Sequence, residues 1–124
     1  MELDGFIVPE AYVAVAADNT SNDTIWIIKV IEANRCSTEN EMDDYNNVIP
    51  KGTVFFTGHF LEHVMIGTRC MIYKLIKDKT THFYKESVVF PFVNIKDERK
   101  GLVLNDEDYT DILMYIEKNG LIHI

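Results

Sequence analysis

KGTVFFTGHFLEH, residues 51–63, runs from a block of aromatic and β-branched residues through Thr57-Gly58 into the pentad His59-Phe60-Leu61-Glu62-His63. Two structures fit these letters. On a helix, His59 and His63 would lie one turn apart and could share a zinc ion, with Glu62 placed to polarise a bound water, the H-x-x-E-H arrangement of a catalytic metal. On a strand and turn, the same residues would present aromatic side chains instead. Val54, Phe55 and Phe56 are strand formers, and Gly58 permits a bulge or tight turn, so the context predicts the strand. A third protein ligand would have to be guessed from Glu86, Glu98 or Glu117. A zinc hydrolase using His59, Glu62 and His63 is therefore the last of three functional readings, and no metal, cofactor or catalytic residue is expected.

Working towards the N-terminus, residues 25–33, IWIIKVIEA, put Trp26, Ile28 and Val30 on one face of a strand and Ile25, Ile27, Lys29 and Ile31 on the other. Both faces are partly apolar, which suits a strand whose one side fills a core while the other is covered or lines a binding surface. Residues 12–17 form an earlier apolar run of strand length. The turn formers of 18–24, DNTSNDT, predict a hairpin between the two. Residues 34–50 are too long for a tight connection and set Glu39, Glu41, Asp43 and Asp44 against Arg35 alone, which predicts an exposed acidic loop with Tyr45 as its aromatic.

Towards the C-terminus, 70–76 and 81–84 flank the turn-like Lys77-Asp78-Lys79-Thr80 and predict a second hairpin. Pro91 in the run 87–93 marks an edge or closing strand. The charged stretch within 94–104 reads as a linker. Beyond it Tyr109, Ile112, Leu113 and Ile116 recur at helical spacing after Asp106, Glu107 and Asp108, whose carboxylates suit a helix N-terminus, and Gly120 supplies a stop with Leu121 folding back on Ile116. A helix over about 106–119 is predicted, docked by one apolar side.

The chain has 124 residues, 47% hydrophobic and 26% charged, which fits one globular domain, 1–124, able to bury roughly two-thirds of its unfolded surface. Twelve basic and twenty acidic residues give a formal charge of −8, which repels phosphate backbones and anionic lipid and attracts basic peptides. Lys74, Lys77, Lys79 and Lys85 are scattered among acids rather than gathered with stacking aromatics, so nucleic acid is not the expected partner. Cys36 and Cys70 form neither a metal knuckle nor a redox motif. No secretory signal and no membrane-spanning run is read, so the expected setting is intracellular, nuclear or cytoplasmic.

The succession of strand one, polar loop and IWIIKVIEA, then VFFTGHFLE and FYKESVVFPF, resembles the Tudor group of SH3-like barrels over about 12–93. The related bromo-adjacent homology barrels, which tolerate long insertions, fit almost as well. The resemblance implies a mainly β (α+β) fold: a small SH3-like barrel of five to six antiparallel strands over about 6–93, followed by the C-terminal α-helix. It also implies a non-enzymatic module for protein contacts, chromatin among its settings. Carried over, Trp26 matches the cage aromatic opening the second strand, Phe56 the aromatic before the Thr-Gly turn and His59 the position just after it, while Ala16 or Ala17 stands where the family has a first-strand aromatic. The expected ligand is a basic peptide segment, methylated on Lys or Arg or unmodified, gathered by Asp43, Asp44 and Tyr45 and gripped by Trp26, Phe56 and His59. The alternative is a structural domain that self-associates or docks into a larger assembly.

Overall fold

The computed structural model describes residues 7–17, 25–35, 39–42, 46–66 and 70–118. The turn expected at 18–24, the thiol of Cys36, the site residues Asp43, Asp44 and Tyr45, and the Gly120-Leu121 ending lie outside them.

The organising element is a 13-residue strand, β5 (Val54–Ile66), in which the whole opening stretch from Val54 onward is extended. The turn predicted at Thr57-Gly58 is replaced by continuous strand. Gly58 sits mid-strand opposite Val30 and Thr81, where an added Cβ would lie 2.6 Å from both Ile28 Cγ2 and the Lys29 carbonyl oxygen. Glycine is required here for close approach of two backbones, not for a change of direction. On one edge β5 pairs with β2 (Ile25–Arg35), which pairs in turn with β1 (Tyr12–Ala16) as an antiparallel neighbour. A register shift between Val30 and Glu32 lets β2 bend over β5.

The expected second hairpin is not formed. β6 (Cys70–Leu75) and β7 (Thr81–Tyr84) do not pair with each other: β6 runs antiparallel to Leu61–Ile66 and β7 to Phe55–Gly58, and the Ile76 N–H donates to the Phe60 carbonyl at 2.9 Å between them. They are successive partners of one strand, separated by an excursion at 77–80. A single 3-10 turn, Lys85–Ser87, leads into β8 (Val88–Phe90), which returns to pair with β1.

Two further expectations change. The acidic segment carries a two-stranded ribbon of β3 (Glu41–Met42) and β4 (Val48–Ile49), anchored because Ile49 is buried against Phe55. The stretch 94–104, read as a linker, folds into a hairpin of β9 (Lys96–Glu98) and β10 (Gly101–Asn105), with Gly101 at φ 133° and β10 pairing with β6. Charged side chains hid that hairpin, because its β9 residues are all exposed. The architecture is thus mainly β, an eight-stranded antiparallel sheet ordered β8-β1-β2-β5-β6-β10-β9 with β7 also on β5, and one C-terminal helix, α1 (Asp106–Lys118). Among the described residues the ladder runs from β8 to β9 without closing on itself, and no helix is long and apolar enough to cross a membrane.

Each face of the central strands is buried by a different set of residues. Val13, Val15, Ile28, Val30, Phe56 and Phe83 form one cluster inside the curl of β1, β2, β5, β7 and β8. On the other face Ala14, Ile25, Ile27 and Leu61 pack with Tyr73 and Leu104, and α1 covers them through Ile112 and Ile116. The two-sided apolar pattern of IWIIKVIEA is what this double burial demands.

Gly58→Ala is expected to destabilise the fold by about 1–3 kcal/mol, because the neighbour at 2.6 Å on the β2 side is backbone and cannot swing away. The check is a lower urea midpoint at unchanged m-value; an unchanged midpoint would mean that β2 and β5 are further apart than described.

Candidate functional site

The pleat decides which residues can cooperate. Ile28 and Phe60 are direct cross-strand partners and share a face, and Trp26, two residues before Ile28, shares it too. His59, next to Phe60, therefore faces the other side, opposite Lys29. Its Nδ1–H donates to the Lys79 carbonyl at 3.1 Å, clasping the 77–80 excursion onto β5. Phe56 is on Trp26's side but is fully buried, stacked on Phe83 at a ring separation of 5.3 Å. Of the three residues expected to grip a ligand, only Trp26 is available for it: His59 is on the wrong face and Phe56 is core.

The H-x-x-E-H pentad lies wholly in β5, so His59 and His63 stand about 13 Å apart along the strand, with Glu62 on the opposite face beside Lys74 at 3.7 Å. Two imidazoles so spaced cannot share a zinc ion that needs nitrogens at about 2.0–2.1 Å. His63 instead packs its ring against Tyr73 at 5.4 Å. Among the described residues no group of three His, Cys, Asp or Glu side chains is placed to hold a metal ion.

The curl contains a chain of rings. Phe56 stacks on Phe83, Phe83 meets Phe60 at 5.2 Å and 74°, and Phe60 meets Trp26 at 5.6 Å and 83°. The inner end of this series is sealed; the outer end, Trp26 and Phe60, is half-buried and lines an open cavity of about 180 Å³ with Ala16, Thr81 and Tyr84. Thr81 is 4% exposed, and its Oγ1 is the one buried side-chain polar atom without a hydrogen-bond partner among the described residues. The mouth thus offers two ring systems at right angles, and the negative face of such a ring, unlike its positive edge, attracts a cation within about 6 Å of the ring centre. The resemblance names Trp26 but points to Phe56 rather than Phe60, because it matches Phe56 to the aromatic before a Thr-Gly turn.

A second concavity, about 480 Å³, lies on the other face. Tyr12, Tyr73, Leu75 and Leu102 contribute its apolar surface, and Lys29, Lys74, Lys77 and Lys100 are at its border with Asp97. Lys29 bonds the Glu10 carboxylate at 3.0 Å, with Glu10 held by its turn at φ 75°. That hydrogen bond raises the Lys29 ammonium above its ordinary value, against the opposing effect of burial. Burial in turn pushes the Tyr12 phenol above 10.0; Lys29 opposes this, and Asp97 and Glu10 add to it.

Neither a protein-family model, nor a curated protein, nor a solved structure matches this chain.

Both shifts in the Tyr12-Lys29 pair are upward, so the folded state holds these protons longer than the unfolded chain does. Their contribution to stability is complete at neutral pH and is lost as pH rises through the folded values, above about 10. Lys29→Met removes the ammonium that favours the phenolate, and Tyr12 is expected to ionise at a higher pH still. Phenolate absorbance, compared between parent and variant to isolate one tyrosine among six, measures it; an earlier ionisation in the variant would contradict the geometry.

Proposed function

We propose that this chain is a non-enzymatic recognition module that takes a basic side chain of a partner peptide, Lys or Arg with or without methyl groups, between Trp26 and Phe60. The observation that carries this is the pair of half-buried rings meeting at 83° on an open cavity, in a chain of formal charge −8. A cation gains from the ring quadrupoles and from the long-range field of an acidic protein, whereas an anion gains from neither. A histone-type tail in the nucleus or cytoplasm is one setting for such a ligand.

An SH3-like barrel of the Tudor or bromo-adjacent kind is the finer fold that we propose for the curled part. It is supported by the succession β1, β2, the first half of β5, β7, a 3-10 turn and the short β8 that comes back to β1. In this reading Phe60 replaces Phe56 as the second gripping aromatic. Ala16, exposed on the cavity rim, takes the position of the missing first-strand aromatic. The mouth is a two-walled version of a cage.

The alternative, a docking or self-associating domain, has one feature in its favour. Phe92 is 57% exposed on a backbone at φ 58°, a strained conformation that a bulky residue adopts at a cost and that often marks contact sites. Sedimentation at several concentrations separates the two readings.

Because Trp26 is the sole tryptophan, its fluorescence reports the mouth directly. Titration with Lys and methyl-Lys peptides is expected to change it; with the same peptides fluorescein-labelled and followed by anisotropy, Trp26→Ala is expected to abolish binding and Ala16→Tyr, by adding a third wall, to tighten it about three- to thirtyfold. No fluorescence change up to millimolar peptide, or no gain in Ala16→Tyr, would overturn this assignment.

A further inference from the structure

The lysines of the second concavity come from distant parts of the chain: Lys29 from β2, Lys74 and Lys77 from β6 and the residues after it, and Lys100 from the turn between β9 and β10. Folding gathers them. The lining has four bases and one acid, Asp97, in a chain that otherwise has eight bases and nineteen acids. Two of the four are already engaged, Lys29 by Glu10 and Lys74 by Glu62, towards which its ammonium turns on the opposite face of the strand pair, whereas Lys77 and Lys100 have no ion-pair partner among the described residues. Between them lies an apolar surface of Leu75, Leu102, Val64 and the Tyr12 and Tyr73 rings.

We propose that this concavity is a docking groove for an acidic peptide segment that carries apolar side chains, with leucine-like groups on the surface of Leu75 and Leu102 and carboxylates at Lys77 and Lys100. This occupant follows from the charge and from the lining together. A lone small anion would leave the apolar surface wet, and a volume of about 480 Å³ is in the range of sites that accept several groups at once. A nucleic acid would bring further phosphates against a chain of formal charge −8, whereas a short acidic motif ends within the groove. The site is separate from the aromatic mouth: Trp26 faces the interior of the curl, whereas Tyr73, Leu75 and Leu102 pack on the cluster beneath α1.

The experiment uses the full chain and a fluorescein-labelled peptide of two leucines flanked on each side by two glutamates, followed by anisotropy. The peptide is expected to bind, to weaken several-fold between about 50 and about 300 mM salt as the exposed charges are screened, and to weaken about tenfold in the double variant Lys77→Ala/Lys100→Ala. Asp97→Asn, which deletes the one carboxylate of the lining, should tighten it, and Trp26→Ala should leave it unchanged. The proposal is overturned by any of four results: no binding up to millimolar peptide, equal binding of the peptide with glutamines for glutamates or serines for leucines, undiminished binding by a folded double variant, or tighter binding of oligothymidylate than of the peptide. Circular dichroism of the double variant, whose two changes are at exposed positions, confirms that it is folded.

Discussion

The contact between Gly58 and the β2 backbone is what the rest of the sheet depends on. A strand of thirteen residues that must pair with β2 on one edge and with β6 and then β7 on the other has to bend, and the bend brings Ile28 and the Lys29 carbonyl to where any side chain at 58 would sit. With that position vacant, β2 lies close over β5, and the residues on either side of Gly58 keep strict alternation. Phe56 and Phe60 turn into the curl, Thr57 and His59 out of it. The allocation of every neighbouring side chain to one face or the other follows from this one small residue.

That allocation separates two surfaces of opposite chemistry. Inside the curl, aromatic rings succeed one another from the sealed Phe56 to the open Trp26, and ring faces and edges are the main groups on offer at the mouth. On the outer face the strands are covered by α1 through Ile112 and Ile116, but the helix does not extend over Tyr12, Leu75 and Leu102, and there the lysines collect. A sheet with one polar face would have needed no helix and left no such groove. Double burial of the central strands creates both sites.

Much of this was legible in the sequence, for reasons that are physical. The runs at 12–16, 25–33, 81–84 and 88–90 carry the β-branched and aromatic residues that only a pleated, half-buried surface satisfies, and the stripe Ile112, Leu113 and Ile116 after three acids announces a helix with its charged N-terminus. Three features were hidden. Gly58 is a turn former by composition, and only the position of β2, fixed far away in the chain, turns it into a strand residue. Residues 77–80 look like a hairpin turn because sequence displays the excursion but not that both flanking strands share one partner. The hairpin of β9 and β10 is masked by five consecutive charged residues, 96–100, a composition typical of linkers. The consequence for the site was specific: a turn at Thr57-Gly58 would have made Phe56 and His59 neighbours of Trp26, and a continuous strand makes Phe60 its neighbour instead.

Charge shows the same division between what composition can and cannot say. A formal −8 belongs to the molecule as a whole, and it favours the approach of cationic partners through a field that salt screens beyond a Debye length of about 8 Å. At contact the nearest groups decide. Lys77 and Lys100 are separated in sequence by 22 residues that include acids and bases alike, and nothing in their spacing signals proximity. They come together because β6 pairs with β10, an arrangement set by apolar partners such as Ile72 with Val103 and Tyr73 with Leu102. Hydrophobic register therefore decides the local electrostatics of this protein, and an acidic chain carries a basic groove with no change in its overall sign.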